Sequence, residues 1–136
     1  MILADSNVLI DVIEGDPAWS EWSRMALFEH GRHDDIAINQ IVVAEVAPSL
    51  GSAAALRREI EAFDMIYEPL DEQGAYLGGD AFRAYRQRRV GTTSILADFL
   101  IGGHAQSLGA AILTRDPRFY RSYFPVVPLI TPDTHP

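Results

Sequence analysis

Five short runs rich in Ile, Val, Leu and Ala recur along the chain, and a stretch with helical character separates each from the next. Strands that alternate with helices build βαβ units, so the pattern predicts an α/β fold with a mainly parallel sheet. The first run, ILADSNVLIDVI, reads as a buried strand that ends near Asp5. The others are Ile36 to Val42, Met65 to Leu70, Ala110 to Thr114 and Val126 to Thr131. After Asp16-Pro17, the residues Trp19, Trp22, Met25, Ala26 and Glu29 have helical spacing, and Gly31 ends that segment. Gln40 to Leu50 suits a helix stopped by Pro48 or Gly51. Ser52 is placed to cap a helix through Leu56, Ile60 and Phe63. Asp71 opens a long helix with Tyr76, Leu77, Phe82 and Tyr85 on its apolar side, closing in Arg86-Gln87-Arg88-Arg89. Gly91 to Ser94 read as a polar loop. Ile95, Leu96, Phe99, Leu100 and Ala105 mark a further helix that Gly109 stops, and Asp116-Pro117 starts a short one.

The 136 residues read as one domain, with no repeat and no linker. Hydrophobic residues make up 48%, enough for a core, and 22% charged residues argue against disorder. Asp5 and Asp11 interrupt the apolar N-terminus, and no basic segment precedes it, so a secretory signal is not expected. No stretch reaches the ~18 apolar residues of a membrane span. A cytoplasmic protein without membrane contact is the expectation. The absence of Cys removes disulfides and zinc–thiolate sites. The net charge is −8, and all eleven of the Lys and Arg positions are Arg. Such a balance is unusual for a protein that holds nucleic acid. It suits either an ordinary acidic enzyme or a chain whose acids gather around a bound cation.

Two acids stand where a parallel sheet places its ligands, beyond the carboxyl ends of strands. Asp5 ends the first strand and Asp116 follows the fourth. Asp98 lies near the start of the apolar helix ILADFLIGGHA, and Glu45 lies in VVAEVA. A carboxylate in such surroundings is costly to bury alone. Each acid has a simpler reading. Asp116 suits a helix N-cap, Asp98 a first-turn acid and Glu45 an exposed helix position. Taken together, the four point to a divalent-cation site, and carboxylates without Cys or nearby His favour Mg²⁺ or Mn²⁺. His30 and His33 are three apart, but Gly31 between them weakens the helix and no carboxylate partner is evident. A carboxylate-held Mg²⁺ commonly serves phosphodiester hydrolysis. No Ser-His-Asp set stands out, and a glycine-rich phosphate loop would need a Lys that the chain lacks. The same lack argues against receiver domains and haloacid-dehalogenase-like phosphatases. The latter also want Asp-x-Asp, where this chain has Asp5-Ser6-Asn7.

Four segments in order resemble the PIN domain, in particular the VapC-type toxins of bacterial toxin–antitoxin pairs. They are LADSNVLID, VVAEVA, PLDEQGAYLGGDAFRAYR and ILADFLIGGHAQSLGAAILTRDPRFY, and together they cover almost the whole chain. The resemblance implies a three-layer sandwich with a central sheet of about five strands between helices. It implies that Asp5, Glu45, Asp98 and Asp116 are the catalytic acids that hold Mg²⁺ or Mn²⁺, with Ser6, Asn7 and Thr114 orienting ligands or substrate. It implies an endoribonuclease whose partners are RNA, a cognate antitoxin and a second copy of the chain, possible as a heterotetramer or larger. A processing nuclease outside any toxin pair, acting on RNA or DNA, and a non-catalytic PIN-like module stay open. Leu96 stands where relatives often carry another Asp. Gly102-Gly103 replaces a small Ala pair, which is expected to loosen the helix by about 1 kcal/mol per Gly. Arg115, Arg118 and Arg121 flank Asp116 as candidate phosphate contacts, and Arg83, Arg86, Arg88 and Arg89 form a second basic strip. Both groups also suit a solvated helix face.

Overall fold

The protein is described by a computed structural model over residues 1–88 and 96–136. Arg89, the expected loop Gly91 to Ser94, and Ile95 lie outside the described residues, as does the side chain of Arg88. The strands are β1 (Ile2–Ala4), β2 (Ile36–Ile38), β3 (Ile66–Tyr67), β4 (Ala111–Leu113) and β5 (Leu129–Ile130). The helices described are α1 (Ser6–Glu14), α2 (Ser20–Gly31), α3 (Gln40–Val46), α4 (Ala53–Ala62), α5 (Glu72–Arg88), α6 (Leu96–Leu108) and α7 (Arg118–Tyr123). A short 3₁₀ turn, Ala47–Ser49, follows α3.

The five strands form one sheet in the order β3-β2-β1-β4-β5, and every pairing is parallel. β1 is central, with Ile2 in register with both Ile36 and Ala111. From β1 the chain first builds outward through β2 and β3, then returns to build β4 and β5 on the other side. Right-handed crossovers therefore send the two sets of helices to opposite faces of the sheet, giving a three-layer sandwich. The order reverses between β1 and β4, the switch point at which open parallel sheets bind ligands.

Two expected strands are shorter than their apolar runs. The first stops at Ala4, because Asp5 is extended (φ −72°, ψ 150°) and its side chain accepts from the Ser6 N–H, capping α1. Gly15 closes the same helix in the left-handed region, at φ 65°. An aliphatic run alone does not separate a buried strand from a buried helix, and here the caps decide. Likewise β2 stops at Ile38, because the Asn39 side chain accepts from the Val42 N–H and starts α3. Ser52 caps α4 through the Ala55 N–H, as expected.

The sequence expectation that Gly102-Gly103 loosens α6 meets a different physical situation. A Cβ on Gly103 would lie 2.3 Å from the Gly74 carbonyl oxygen and 2.4 Å from the Gly78 nitrogen. A Cβ on Gly78 would lie 2.5 Å from the Phe99 carbonyl oxygen, and one on Gly102 would strike the Phe124 ring at 2.3 Å. Helices α5 and α6 thus meet backbone to backbone, and the glycines make that approach possible. Beyond their contact, Phe99 is ringed by Phe82, Tyr85, Phe119, Tyr123 and Phe124 in mostly edge-to-face and tilted contacts. This cluster pins the start of α6 against α7.

Gly103→Ala is expected to lower the unfolding free energy by about 1–3 kcal/mol, the usual range for overpacking. Gly79→Ala, whose added Cβ meets nothing within 4 Å, should instead gain up to about 1 kcal/mol of helix propensity. Urea unfolding of the two variants reads the opposite signs.

Candidate functional site

Three acids converge at the switch point. One carboxylate oxygen from each of Asp5, Glu45 and Asp98 can be chosen so that all lie within 4.8 Å of one another. They come from three elements: Asp5 from the end of β1, Glu45 from the last turn of α3 and Asp98 from the first turn of α6. Asp5 is buried, and the other two are partly so. Asp116 stands outside this tight group. It is exposed in the turn after β4, where Arg118 Nε reaches its Oδ1 at 3.3 Å.

Short polar side chains orient these acids. The Ser6 N–H donates to Asp5 Oδ1 at 2.8 Å, and the Ser6 hydroxyl donates to Glu45 Oε1 at 2.9 Å. Asn7 Nδ2 donates to Asp5 Oδ2 at 3.2 Å and to Thr114 Oγ1 at 3.0 Å. The Thr114 hydroxyl donates to the same Asp5 oxygen at 2.9 Å and accepts from the Asp116 N–H at 3.2 Å. Ser6, Asn7 and Thr114 therefore all touch the acids. Their hydrogen bonds tie the ends of β1 and β4 into one unit.

The electrostatics are those of crowded anions. Burial, foremost, raises the Asp5 carboxyl above its ordinary value, against the lowering effect of hydrogen bonds from Thr114 and others. Asp98 is pushed up to about 6, first by burial and then by the charges of Asp5, Glu45 and Asp116. Without a countercharge the site holds its last negative charges reluctantly. The donors on offer are all carboxylate oxygens, the chemistry of a hard divalent cation, so these residues fit such an ion.

The arginines divide. Arg115 Nε is bonded to Asp11 at 2.8 Å, and its guanidinium carbon lies 5.9 Å from the Trp19 ring centre. Asp11 is buried and also accepts from the Ser23 hydroxyl at 3.0 Å. Arg115 thus compensates a buried charge, a role that its place beside Asp116 did not reveal. Arg121 is bonded to Asp133 at 2.8 Å. Arg118, with 87% of its side chain exposed, is the one of these three that reaches into solvent beside the acids. On α5, Arg83 pairs with Asp80, and Arg86 lies over the Phe82 ring.

Sequence reasoning also missed a buried link between α3 and α6. Asn39 Oδ1 is occupied by the Val42 N–H, so its amide nitrogen faces His104 Nδ1, at 2.9 Å. A neutral imidazole that accepts at Nδ1 carries its proton on Nε2. Burial, foremost, lowers the His104 pKa and keeps the ring neutral. One hydrogen bond thereby joins the cap of the Glu45 helix to the Asp98 helix. The signal available in the sequence was a His inside an apolar helix. His30 sits instead at the end of α2 in edge-on contact with His135, 5.1 Å between ring centres.

A sequence profile of the PIN domain matches residues 2–125. No curated protein sequence gives a significant match. Among solved structures, the VapBC2 complex of Rickettsia felis bound to a DNA fragment from its promoter contains a chain 20% identical, with a TM-score of 0.70 over 96% of this chain and 98% of that one. A toxin–antitoxin complex from Klebsiella pneumoniae gives 22% identity and a TM-score of 0.66 over 97% and 98%. FitAcB from Neisseria gonorrhoeae gives 24% and 0.63 over the full length of both chains. At these identities the likeness is one of fold.

Two outcomes test the electrostatics. Asp98 binds its proton more tightly folded than unfolded, so its contribution to stability is full below the ordinary 3.8 and is lost as the pH rises through about 6. Thermal melts in chelator from about pH 4 to about pH 7 should show wild type losing stability relative to Asp98→Asn. Arg115→Ala leaves Asp11 buried without its cation and should cost about 3–5 kcal/mol in urea unfolding.

Proposed function

The chain belongs to the PIN domain family, and from that premise we propose that it is a Mg²⁺- or Mn²⁺-dependent endoribonuclease serving as the toxin of a toxin–antitoxin pair. PIN domains act as nucleases. The observation that carries the reading is the convergence of Asp5, Glu45 and Asp98 at the switch point, with Asp116 at its rim. A cation bound there would supply an activated water and offset the charge that develops on a phosphodiester.

The chain's own residues do the positioning. Ser6 holds Glu45, Asn7 and Thr114 hold Asp5, and the Asn39–His104 bond holds α3 against α6. Arg118, paired with Asp116 through Nε and otherwise exposed, has terminal nitrogens to offer a phosphate. A net charge of −8 opposes general adhesion to nucleic acid, so RNA would be held mainly at the cation and by a few Arg.

An antitoxin partner is supported by surface chemistry as well as by the toxin–antitoxin complexes among the structural neighbours. Helix α2 exposes Met25 and Phe28 and lines a groove of about 710 Å³ with Trp22, His135 and Pro136. Glu21 and Glu29 on the same groove favour a partner segment with basic residues. A Lys or Arg from that partner entering the acid cluster would compete with the cation. A homodimer, joined to antitoxin in a heterotetramer or larger assembly, and a cytoplasmic site of action complete the reading. No described helix is long and apolar enough to cross a membrane.

Purified protein with end-labelled RNA and Mn²⁺ should cleave, and both chelator and Asp98→Asn should reduce cleavage to background with the circular dichroism spectrum unchanged. Cleavage retained by a clean Asp98→Asn preparation overturns the proposal. Expression alone should arrest growth, and co-expression of a cognate antitoxin should restore it.

A further inference from the structure

The ion pair Asp11–Arg115 is more than the packing of α1 on α2 requires. Asp11 interrupts the apolar run VLIDVI of α1 and is 2% exposed. An apolar side chain there would avoid the desolvation of two charges, and replacing a buried ion pair in that way is often neutral for stability. What the pair supplies, and an apolar contact does not, is a directed tie. Arg115 Nε meets Asp11 Oδ2 at 2.8 Å, and the same oxygen accepts from the Ser23 hydroxyl of α2 at 3.0 Å. The guanidinium also lies over the Trp19 ring. Arg115, in the turn after β4, is thus tied to both α1 and α2.

That turn leads from Thr114, which donates to Asp5, to Asp116 at the rim of the acids. Its other bonds are long. The Arg115 N–H reaches Asn7 Oδ1 at 3.3 Å, and the Asp116 N–H reaches Thr114 Oγ1 at 3.2 Å, at or beyond the far end of the usual range. Pro117 has no N–H to donate. Among the described residues no side chain caps α7, so the Asp116 carboxyl is not used as the N-cap that its place in the sequence suits. Its partner is Arg118 Nε at 3.3 Å, on a side chain 87% exposed, and a pair so open to solvent fixes little. The short, buried anchor of the turn is Arg115 on Asp11.

We propose that the Asp11–Arg115 pair positions Asp116: held on α1 and α2, it pins the turn after β4 so that the Asp116 carboxyl stays at the rim of the acid cluster. The proposal rests on the cation-site reading above. It gives Asp11 and Arg115 no contact with cation or substrate. It explains why a charge is buried in α1 where an apolar residue would pack.

The test separates position from stability. Arg115→Ala strands a buried charge, so the informative variant is Asp11→Asn with Arg115→Met. It buries no charge, keeps an acceptor for Ser23 and an aliphatic stem over Trp19, and loses the tie. Arg115→Lys keeps a charge opposite Asp11 without the Nε geometry, and it carries the test if the double variant does not fold. In chelator, amide hydrogen exchange at Arg115 and Asp116 should quicken by about fivefold or more while the amides of β1 and β4 keep their protection. Cleavage at saturating Mn²⁺ should fall by about tenfold or more, as for loss of a residue that orients a metal-site group, and Asp116→Asn should fall at least as far. A smaller change in either measurement overturns the proposal. Exchange that quickens evenly through the sheet marks a merely structural pair and overturns it too. So does Asp116→Asn that cleaves like wild type, while the cation reading stands if Asp98→Asn is inactive. Wild type that does not cleave with Mn²⁺ overturns the cation reading and this proposal together.

Discussion

Mutual repulsion among three carboxylates is the constraint around which the rest of this molecule is arranged. Asp5, Glu45 and Asp98 stand within 4.8 Å of one another in a partly buried place, where like charges interact more strongly than in water. Nothing in the cluster itself favours that arrangement. It persists because each acid belongs to a different rigid element. The elements are held by contacts that outweigh the repulsion. Burial first, and then the charges of its neighbours, push the Asp98 carboxyl up to about 6. A divalent cation would turn the same arrangement from a cost into a binding site, which is why the proposed chemistry and the fold are hard to separate.

Those holding contacts fall into two groups. One is polar and local. Asp5 caps α1 while Thr114 and Asn7 clamp its other oxygen, so the two strand ends that flank the switch point share one network. The second is a close approach of backbones. Gly74, Gly78 and Gly103 let α5 and α6 touch without intervening side chains, and Phe99 anchors the start of α6 in an aromatic cluster. Asp98 is the residue immediately before Phe99, so the aromatic packing fixes where its carboxyl sits. Arg115 belongs to the same economy of charge. It neutralises buried Asp11 beneath α2 and so leaves Arg118 as the cation facing solvent beside Asp116.

Much of this was legible in the sequence. Aliphatic runs alternating with helical segments imply a parallel sheet, and a parallel sheet makes strand-end acids conspicuous, which drew attention to Asp5 and Asp116. Ser52 as a cap and Gly109 as a stop obey local rules that act over a few residues. Local rules also explain where the apolar runs change structure. The first strand ends beside Asp5, as the sequence implied, and the Asp5 side chain folding back on the Ser6 N–H starts the helix Ser6–Glu14. Asn39 cuts short the run from Ile36 to Val42 in the same way.

The sequence by itself determined the class of fold, the order of its elements and the chemical identity of the acids, because periodicity, capping and residue type are properties of neighbours along the chain. Only the tertiary structure decided which acids meet. It drew Glu45 and Asp98 to Asp5, and left Asp116 at the rim. It committed Arg115 to Asp11, made the glycine pair a contact surface, and joined Asn39 to His104. Each of these joins residues from separate elements, and a distance of that kind is set by how helices pack on the sheet, which no window of sequence contains.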